Sequence, residues 1–322
     1  MVSPTQLITL GTAAGPAIRG PENGVASALM VGDAFYMVDF GLGCVRAAHE
    51  AGLRGRQWRA GFLTHLHSDH VAELPAFLMF NWGAPVEGFT QPVQVLGPGP
   101  DPHHSKNGAL AGTRGLVEKV LQAYSYDIDI RITDEGRPDL ATLIHPREIS
   151  PPDVARLCAG SNPEDAVDSI FTVYEDDRVL VTATLVDHPP VYPALAYRFD
   201  TEDGSVTFSG DTAECPALAR LAEDTDVLVH EAVNLEFYAE RDFSAEFLNH
   251  QARSHTSPEG AGRIATAAGA KKLVLSHLAG VAPAEQWRSR AASAFGGEVH
   301  VASSGDRFEV SKAAAGSVAL PR

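Results

Sequence analysis

The stretch THLHSDHVAEL, Thr64 to Leu74, sets three histidines and an aspartate within six positions. His65 and His67 follow the apolar run GFLT. Two apart on extended chain, their side chains point the same way and can reach one ion. Asp69 and His70 come after the chain turns, at the start of a helix whose apolar stripe is Val71, Leu74 and Leu78, and they face a second position close by. A packed core would have to satisfy every ring nitrogen in this stretch. Imidazole and carboxylate together suit zinc, manganese or iron alike.

Further ligand types stand where apolar runs end. His188 closes VLVTATLVDH, Asp211 closes VTFSGD and His277 closes KLVLSH. An aspartate after a strand is commonly a turn residue or a helix cap. Three such residues sharing the position of the first motif point instead to one site, because an open sheet gathers its sites at one edge.

The elements that must position these residues are legible as alternating patterns. QLITLG, ASALMVG, AFYMVDFG, RAGFLTH and PVQVLGPG read as strands, with helices over VRAAHEAGL and RGLVEKVLQAY. The second half brings strands RVLVTATLVDH, ALAYRFD, SVTFSGDT, DVLVHEA, KKLVLSH and EVHVAS, with helices PALARLAE, SPEGAGRIATAAGA and PAEQWRSRAASAF. Hairpin-like strand groups followed by alternating helices predict two mixed sheets face to face with helices outside, an α/β protein built as a four-layer α/β/β/α sandwich. No low-complexity or Pro/Ser-rich linker interrupts the chain, so residues 1–322 are expected to form a single domain. The loop-rich regions are Gly97 to Thr113 and Arg147 to Ala166.

Composition narrows the partners. The 322 residues are 44% hydrophobic and 20% charged, with 41 acidic against 25 basic side chains and a formal net charge of −16. Such a chain repels nucleic acid and anionic membranes unless the fold gathers a basic patch. The densest basic stretch, RGRQWR from Arg54 to Arg59, is short and lacks an aromatic ladder. No apolar run approaches the roughly 20 residues of a membrane span. The amino terminus carries no basic then apolar leader, so a cytoplasmic protein is expected. Cys44, Cys158 and Cys215 are isolated, which suggests neither disulfides nor a thiolate site; Cys44 reads as a small buried hydrophobe.

With these motifs in place the chain resembles the metallo-β-lactamase superfamily and, within it, the ribonuclease Z-like branch. The resembling segments are LITLGTAAGPAIRG, THLHSDH, DHPPVYPALAYRF, FSGDT, VLVHEA, SHTSPEGAGRIA and LVLSHL, running from about Gln6 to about Ser304. The resemblance implies two zinc ions. His65, His67 and His188 would hold one and Asp69, His70 and His277 the other, with Asp211 bridging. It places His255 as the proton donor to the leaving group, with Glu231 as its hydrogen-bonded partner, and Asp69 beside the attacking water. Two cations that lower the pKa of water and clamp an in-line displacement make the expected chemistry hydrolysis. His230, one residue before Glu231 on a strand, should point the other way into a core. His250, His103 and His104 read as surface or pocket-rim residues.

Ribonuclease Z carries a long tRNA-gripping arm between its third histidine and the bridging aspartate; here one hairpin with an acidic turn joins His188 to Asp211. Extra length lies instead around DPHHSKNG and in NLEFYAERDFSAEFLNHQAR, whose Phe237, Tyr238, Phe243 and Phe247 read as packing or dimer contacts close to the metal edge. The expectation is therefore a hydrolase of a small-molecule phosphodiester or related ester of the aryl sulfate type, with no nucleic-acid or membrane partner. The alternatives are a tRNA 3′-processing endonuclease, a lactone or amide hydrolase including β-lactams, and a non-catalytic metal-binding scaffold. The apolar residues of AELPAFLMFNWGAP, among them Phe77, Phe80 and Trp82, exceed one helix face and suggest a homodimer.

Overall fold

In a computed structural model, residues 4–18, 20–101, 110–150 and 170–312 are described. His103, His104 and Cys158 lie outside them.

Two seven-stranded mixed sheets face each other. The first runs β14-β1-β2-β3-β4-β5-β6, with β1 Gln6–Gly11, β2 Ala26–Val31, β3 Ala34–Val38, β4 Trp58–Phe62, β5 Val93–Pro98, β6 Ile144–Ile149 and β14 Arg307–Glu309. The second runs β13-β12-β11-β10-β9-β8-β7, with β7 Phe171–Glu175, β8 Val179–Leu185, β9 Leu195–Thr201, β10 Ser205–Phe208, β11 Val227–Val233, β12 Lys272–Ala279 and β13 Glu298–Val301. Antiparallel hairpins give way to parallel strands in each: β3 to β6 in the first, β10 to β13 in the second.

The alternation of the strands explains the layers. Inward residues such as Tyr36, Val38, Phe62, Tyr197, Phe199 and Phe208 form one core between the sheets. Phe62 meets Phe199 edge-on at 5.0 Å and Tyr197 at 5.5 Å, pairs worth about 0.5–1.5 kcal/mol each beyond their area. Outward residues of the first sheet, including Phe35, Trp58 and Val95, pack under helices α1 (Cys44–Glu50), α3 (Leu74–Phe80) and α4 (Thr113–Ala123). Those of the second, including Leu228 and Leu273, pack under α7 (Pro216–Leu221), α10 (Pro258–Ala268) and α11 (Ala284–Ala292). The expected four-layer α/β/β/α sandwich is the observed one.

The helix expected after the histidine motif is two short ones, α2 (Ser68–Val71) and α3, broken at Ala72–Glu73. Between β5 and β6, α5 (Ser125–Thr133) and α6 (Leu140–Leu143) follow α4. Phe77 and Trp82 are fully buried within this chain, so the apolar surplus invoked for a dimer reduces to Phe80, 66% exposed. Cys44 is buried, as its neighbours suggested.

At one edge the sheets are stitched by backbone hydrogen bonds, Leu195 N–H to Thr64 O at 2.9 Å and Leu278 N–H to Thr12 O at 2.8 Å. The residues singled out in the sequence collect there.

Candidate active site

The residues arrive from the ends of strands, from the turn that follows one, or from a bulge within one. β4 leads into His65 and His67, and the turn into α2 carries Asp69 and His70. β8 leads to His188, β10 to Asp211, and β12 carries His277. His277 owes its direction to a bulge: Ser276 pairs with Glu231 and Leu278 with Ala232, leaving His277 unmatched at φ 44°. A left-handed histidine costs on the order of 1–3 kcal/mol and persists where its surroundings over-determine it.

Two clusters result. His65, His67, His188 and Asp211 each bring a ligand atom within 4.8 Å of the others, and so do Asp69, His70 and His277. Asp211 turns one oxygen to each: Oδ2 lies 3.9 Å from His65 Nε2, while Oδ1 lies 3.4 Å from His70 Nε2 and 3.3 Å from His277 Nδ1. Asp69 Oδ2 stands 3.4 Å from His277 Nε2 and 3.8 Å from His70 Nε2.

The buried atoms His65 Nε2, His70 Nε2, Asp211 Oδ1 and His277 Nδ1 have no hydrogen-bond partner among the described residues. Leaving a buried polar group unpaired costs about 1–3 kcal/mol each, so four converging on one spot fit cations rather than a packed core. Burial pushes the imidazoles of His65 and His67 down, and that of His188 to about 4, which keeps them neutral as metal ligands must be. Burial also opposes charge on His70, but the carboxylates of Asp211 and Asp39 outweigh it and raise His70 well above the ordinary value.

A second set of groups aims the first. Asp39, at the end of β3, accepts from His70 Nδ1 at 2.7 Å and from Thr64 N–H and Oγ1–H at 2.8 Å each. Gly15 N–H donates to Asp69 Oδ2 at 2.8 Å. His188 Nδ1 donates to Ser254 O at 2.8 Å. Such partners fix ring orientation and tautomer. Sequence reasoning passed over all three. An aspartate directly after an apolar strand was a signal for Asp39, whereas backbone groups such as Gly15 N–H carry none.

His255 caps helix α9 (Ala245–Ser254) and stands beside the first cluster, its ring centroid 5.0 Å from that of His188. Its Nδ1 contacts Glu231 Oε1 at 2.9 Å and Oε2 at 3.1 Å, and Oε1 also takes Thr212 N–H at 2.7 Å. Burial works against a charge on His255, but the Glu231 carboxylate prevails and pushes it up to about 9. Burial raises the Glu231 carboxyl in turn, with the charge of His255 opposing it. His255 also brings a ligand atom within 4.8 Å of Asp211 and His277. His230 is buried, as its strand position predicted.

His250 lies at the rim of a cleft of about 710 Å³ that opens over Asp69, His255 and His277. The same cleft is lined by Phe237 and Tyr238 of α8 (Leu235–Ala239) and by Phe243 and Phe247, so the aromatic segment expected to serve packing or a dimer faces the cleft.

Ribonuclease Z from Mycobacterium bovis (strain BCG / Pasteur 1173P2) is 30% identical to this chain over 309 residues, covering 95% of this chain and 98% of that protein. The chain belongs to the metallo-β-lactamase superfamily, in its ribonuclease Z-like branch. The model of the beta-lactamase superfamily domain matches residues 126–278 of this superfamily member. Among solved structures, the short form of human tRNase Z is similar with a TM-score of 0.63 at 19% identity, covering 95% of this chain and 99% of that one. The metallo-beta-lactamase fold protein YhfI from Bacillus subtilis gives the same TM-score and identity over 95% and 99%. The superfamily implies a metal-dependent hydrolase holding a divalent cation, and the two His/Asp clusters are suited to one.

This comparison corrects two expectations, a small-molecule ester substrate and the exclusion of nucleic acid. The missing arm does not set the chain apart, because a ribonuclease matches it over 98% of its own length. Net charge misleads here for a physical reason. The formal −16 is a sum over the whole chain, whereas a ligand in a cleft meets local fields, in which any bound cations would be the largest charges. Among the described residues no helix is long and apolar enough to cross a membrane.

Proposed function

We propose that this protein is a metal-dependent endoribonuclease that processes the 3′ ends of tRNA precursors. The end-to-end match to ribonuclease Z carries the reading, and the juxtaposition of the Glu231–His255 pair with a full set of ligand-type residues supports it.

In this reading His65, His67 and His188 would hold one cation and Asp69, His70 and His277 a second, with Asp211 available to both. Two zinc ions suit this donor set, as do manganese or iron. Bound there, they would lower the pKa of a water and neutralise charge developing on the phosphodiester.

The chain's own groups do the remaining work. Asp69, steadied by Gly15 N–H, orients the attacking water and accepts its proton. The P–O bond to the leaving oxygen breaks as His255 Nε2 delivers a proton to that oxygen. Glu231 keeps the imidazole charged and aimed through Nδ1. A scaffold without catalysis has no use for this proton donor.

Metal-loaded protein should cut a precursor tRNA bearing a 3′ trailer at a single position. Failure to cut it under conditions where two cations per chain are bound overturns the reading.

A further inference from the structure

The face of α9 turned to the cleft is a continuous stripe. Phe247, His250 and Gln251 line the cleft at i, i+3 and i+4, and the buried Ser254, at i+7, closes the row beneath it, a span of about 10 Å. Ser254 anchors the inner end, its carbonyl on the His188 ring and its hydroxyl 3.2 Å from His250 Nδ1. At the outer end Phe243 stacks on Phe247, with centroids 4.8 Å apart and planes at 25°.

The aromatic residues of this wall are not equivalent. Tyr238 is buried against Phe237, Phe243 and Phe247, and the guanidinium of Arg241 covers the ring of Phe237. Those two serve the packing. Phe243 is 40% exposed although it stands over a cleft that leads to the catalytic groups. Gln251 lines the same wall, is only 7% exposed, and its Oε1 has no hydrogen-bond partner among the described residues. An open aromatic ring explains itself as packing only when something covers it, and a buried amide oxygen is costly until something donates to it. One flat ligand carrying N–H groups answers both.

We infer that this wall binds an unpaired nucleobase of the RNA substrate, stacked on Phe243 and offered the Gln251 amide. The inference rests on the tRNA-processing reading and extends it. α9 runs directly into His255, so the base belongs to the nucleoside that carries the leaving oxygen, the atom His255 protonates. Stacking tolerates any base, which suits an enzyme meeting many RNA sequences, and Phe243 is a positioning residue that acts on binding rather than on the bond cleaved.

The test uses metal-loaded protein and precursor tRNA, either intact or abasic at the nucleotide bearing the leaving oxygen. Phe243→Ala should raise KM for the intact substrate roughly five- to a hundredfold with little change in kcat, and Phe243→Trp should restore it. Removing the base should cost the wild-type protein a similar factor. Removing base and ring together should cost no more than either alone, because one interaction is lost. Unchanged KM in Phe243→Ala, or two losses that multiply, overturns the inference while leaving tRNA processing intact. If the wild-type protein fails to cut precursor tRNA, the processing reading falls on its own. The platform is then judged by binding of a short single-stranded RNA, intact or abasic, to the wild type and Phe243→Ala, where equal affinities overturn it.

Discussion

Glu231 Oε1 lies 2.9 Å from His255 Nδ1 and accepts the Thr212 N–H at 2.7 Å, so one buried carboxylate is fixed from two sides and fixes an imidazole in turn. If His255 supplies the leaving-group proton, His255→Ala should lower kcat by about 10²–10⁴-fold and leave metal content unchanged. The loss should be largest for alkyl leaving groups and shrink for nitrophenyl esters, which need little protonation. Loss of metal in this variant would mark His255 as a ligand instead, a role its distance to Asp211 and His277 permits.

The same pair sets an alkaline limit. An acid works only while protonated, so kcat should fall as pH rises through the His255 value, pushed up to about 9 by Glu231 against the effect of burial. Glu231→Gln removes the charge that raises it. The alkaline limb of the kcat–pH profile should then move toward neutral pH, with a smaller loss at the optimum than in His255→Ala. A limb that stays in place would detach Glu231 from the proton donor.

Metal binding should be proton-coupled, and His70 is where the proton sits. Burial disfavours its charge, but Asp211 and Asp39 raise it well above the ordinary value, which favours the protonated ring in the metal-free site. A cation needs the neutral ring. Binding should therefore release a proton and tighten as pH rises. Calorimetric zinc titrations in buffers of different ionisation enthalpy measure this directly; identical heats in all of them would contradict it. His67→Ala should lose metal and activity while keeping its circular dichroism, because His67 is the most open of the ligands and takes no part in the core.

Gly15 tests how tightly the site is held. A Cβ placed there would sit 2.3 Å from Asp69 Cβ, closer than any real contact, and the Gly15 N–H already holds Asp69 Oδ2. Gly15→Ala should push Asp69 aside and reduce kcat by roughly a hundredfold, in line with displacement of a positioned group by about 1 Å. The effect on thermal stability should be small, since the loop is not part of the sheet core. A variant with wild-type turnover would show that Asp69 neither orients water nor needs its position.

The sheet interiors and the ligand set were legible because both obey simple periodicities. Strands β1 to β5 and β8 to β12 are marked by short apolar runs, and the ligand-type residues follow the ends of β4, β8 and β10 or, for His277, sit at the bulge of β12. The strands that sequence patterns hide are edge strands. β6 contains Pro146 and exposed charges, β7 is five residues long with both ends exposed or half-exposed, and β14 is three residues long. An edge strand needs neither a continuous apolar face nor every ladder bond. The Ser125–Thr133 helix was hidden differently, since Ile128, Ile130 and Ile132 stand at strand spacing and only Ile128 is buried. Overall charge misled about the substrate for a related reason. Charge is additive along the sequence, while a cleft with its cations is a local arrangement that only folding produces.

Asp39 takes its weight from the folded site, and its removal should separate the two cation positions. One oxygen takes the Thr64 N–H and the other takes both the Thr64 hydroxyl and His70 Nδ1, all within 2.8 Å. It touches no residue of the first cluster except through Thr64, whose hydroxyl lies 3.2 Å from His65 Nδ1. Asp39→Asn keeps the shape and one acceptor but turns an NH₂ toward His70, where an Nδ1–H can no longer donate. The ring then loses its fixed tautomer and the negative charge that makes it a stronger ligand. Affinity for the cation held by Asp69, His70 and His277 should fall about 10–100-fold, and the cation held by His65, His67 and His188 should be much less affected. A zinc titration followed by competition with a chromogenic chelator resolves two steps of different affinity in this variant. Equal weakening of both steps would mean that Asp39 supports the whole edge rather than His70, and no weakening would remove it from the site.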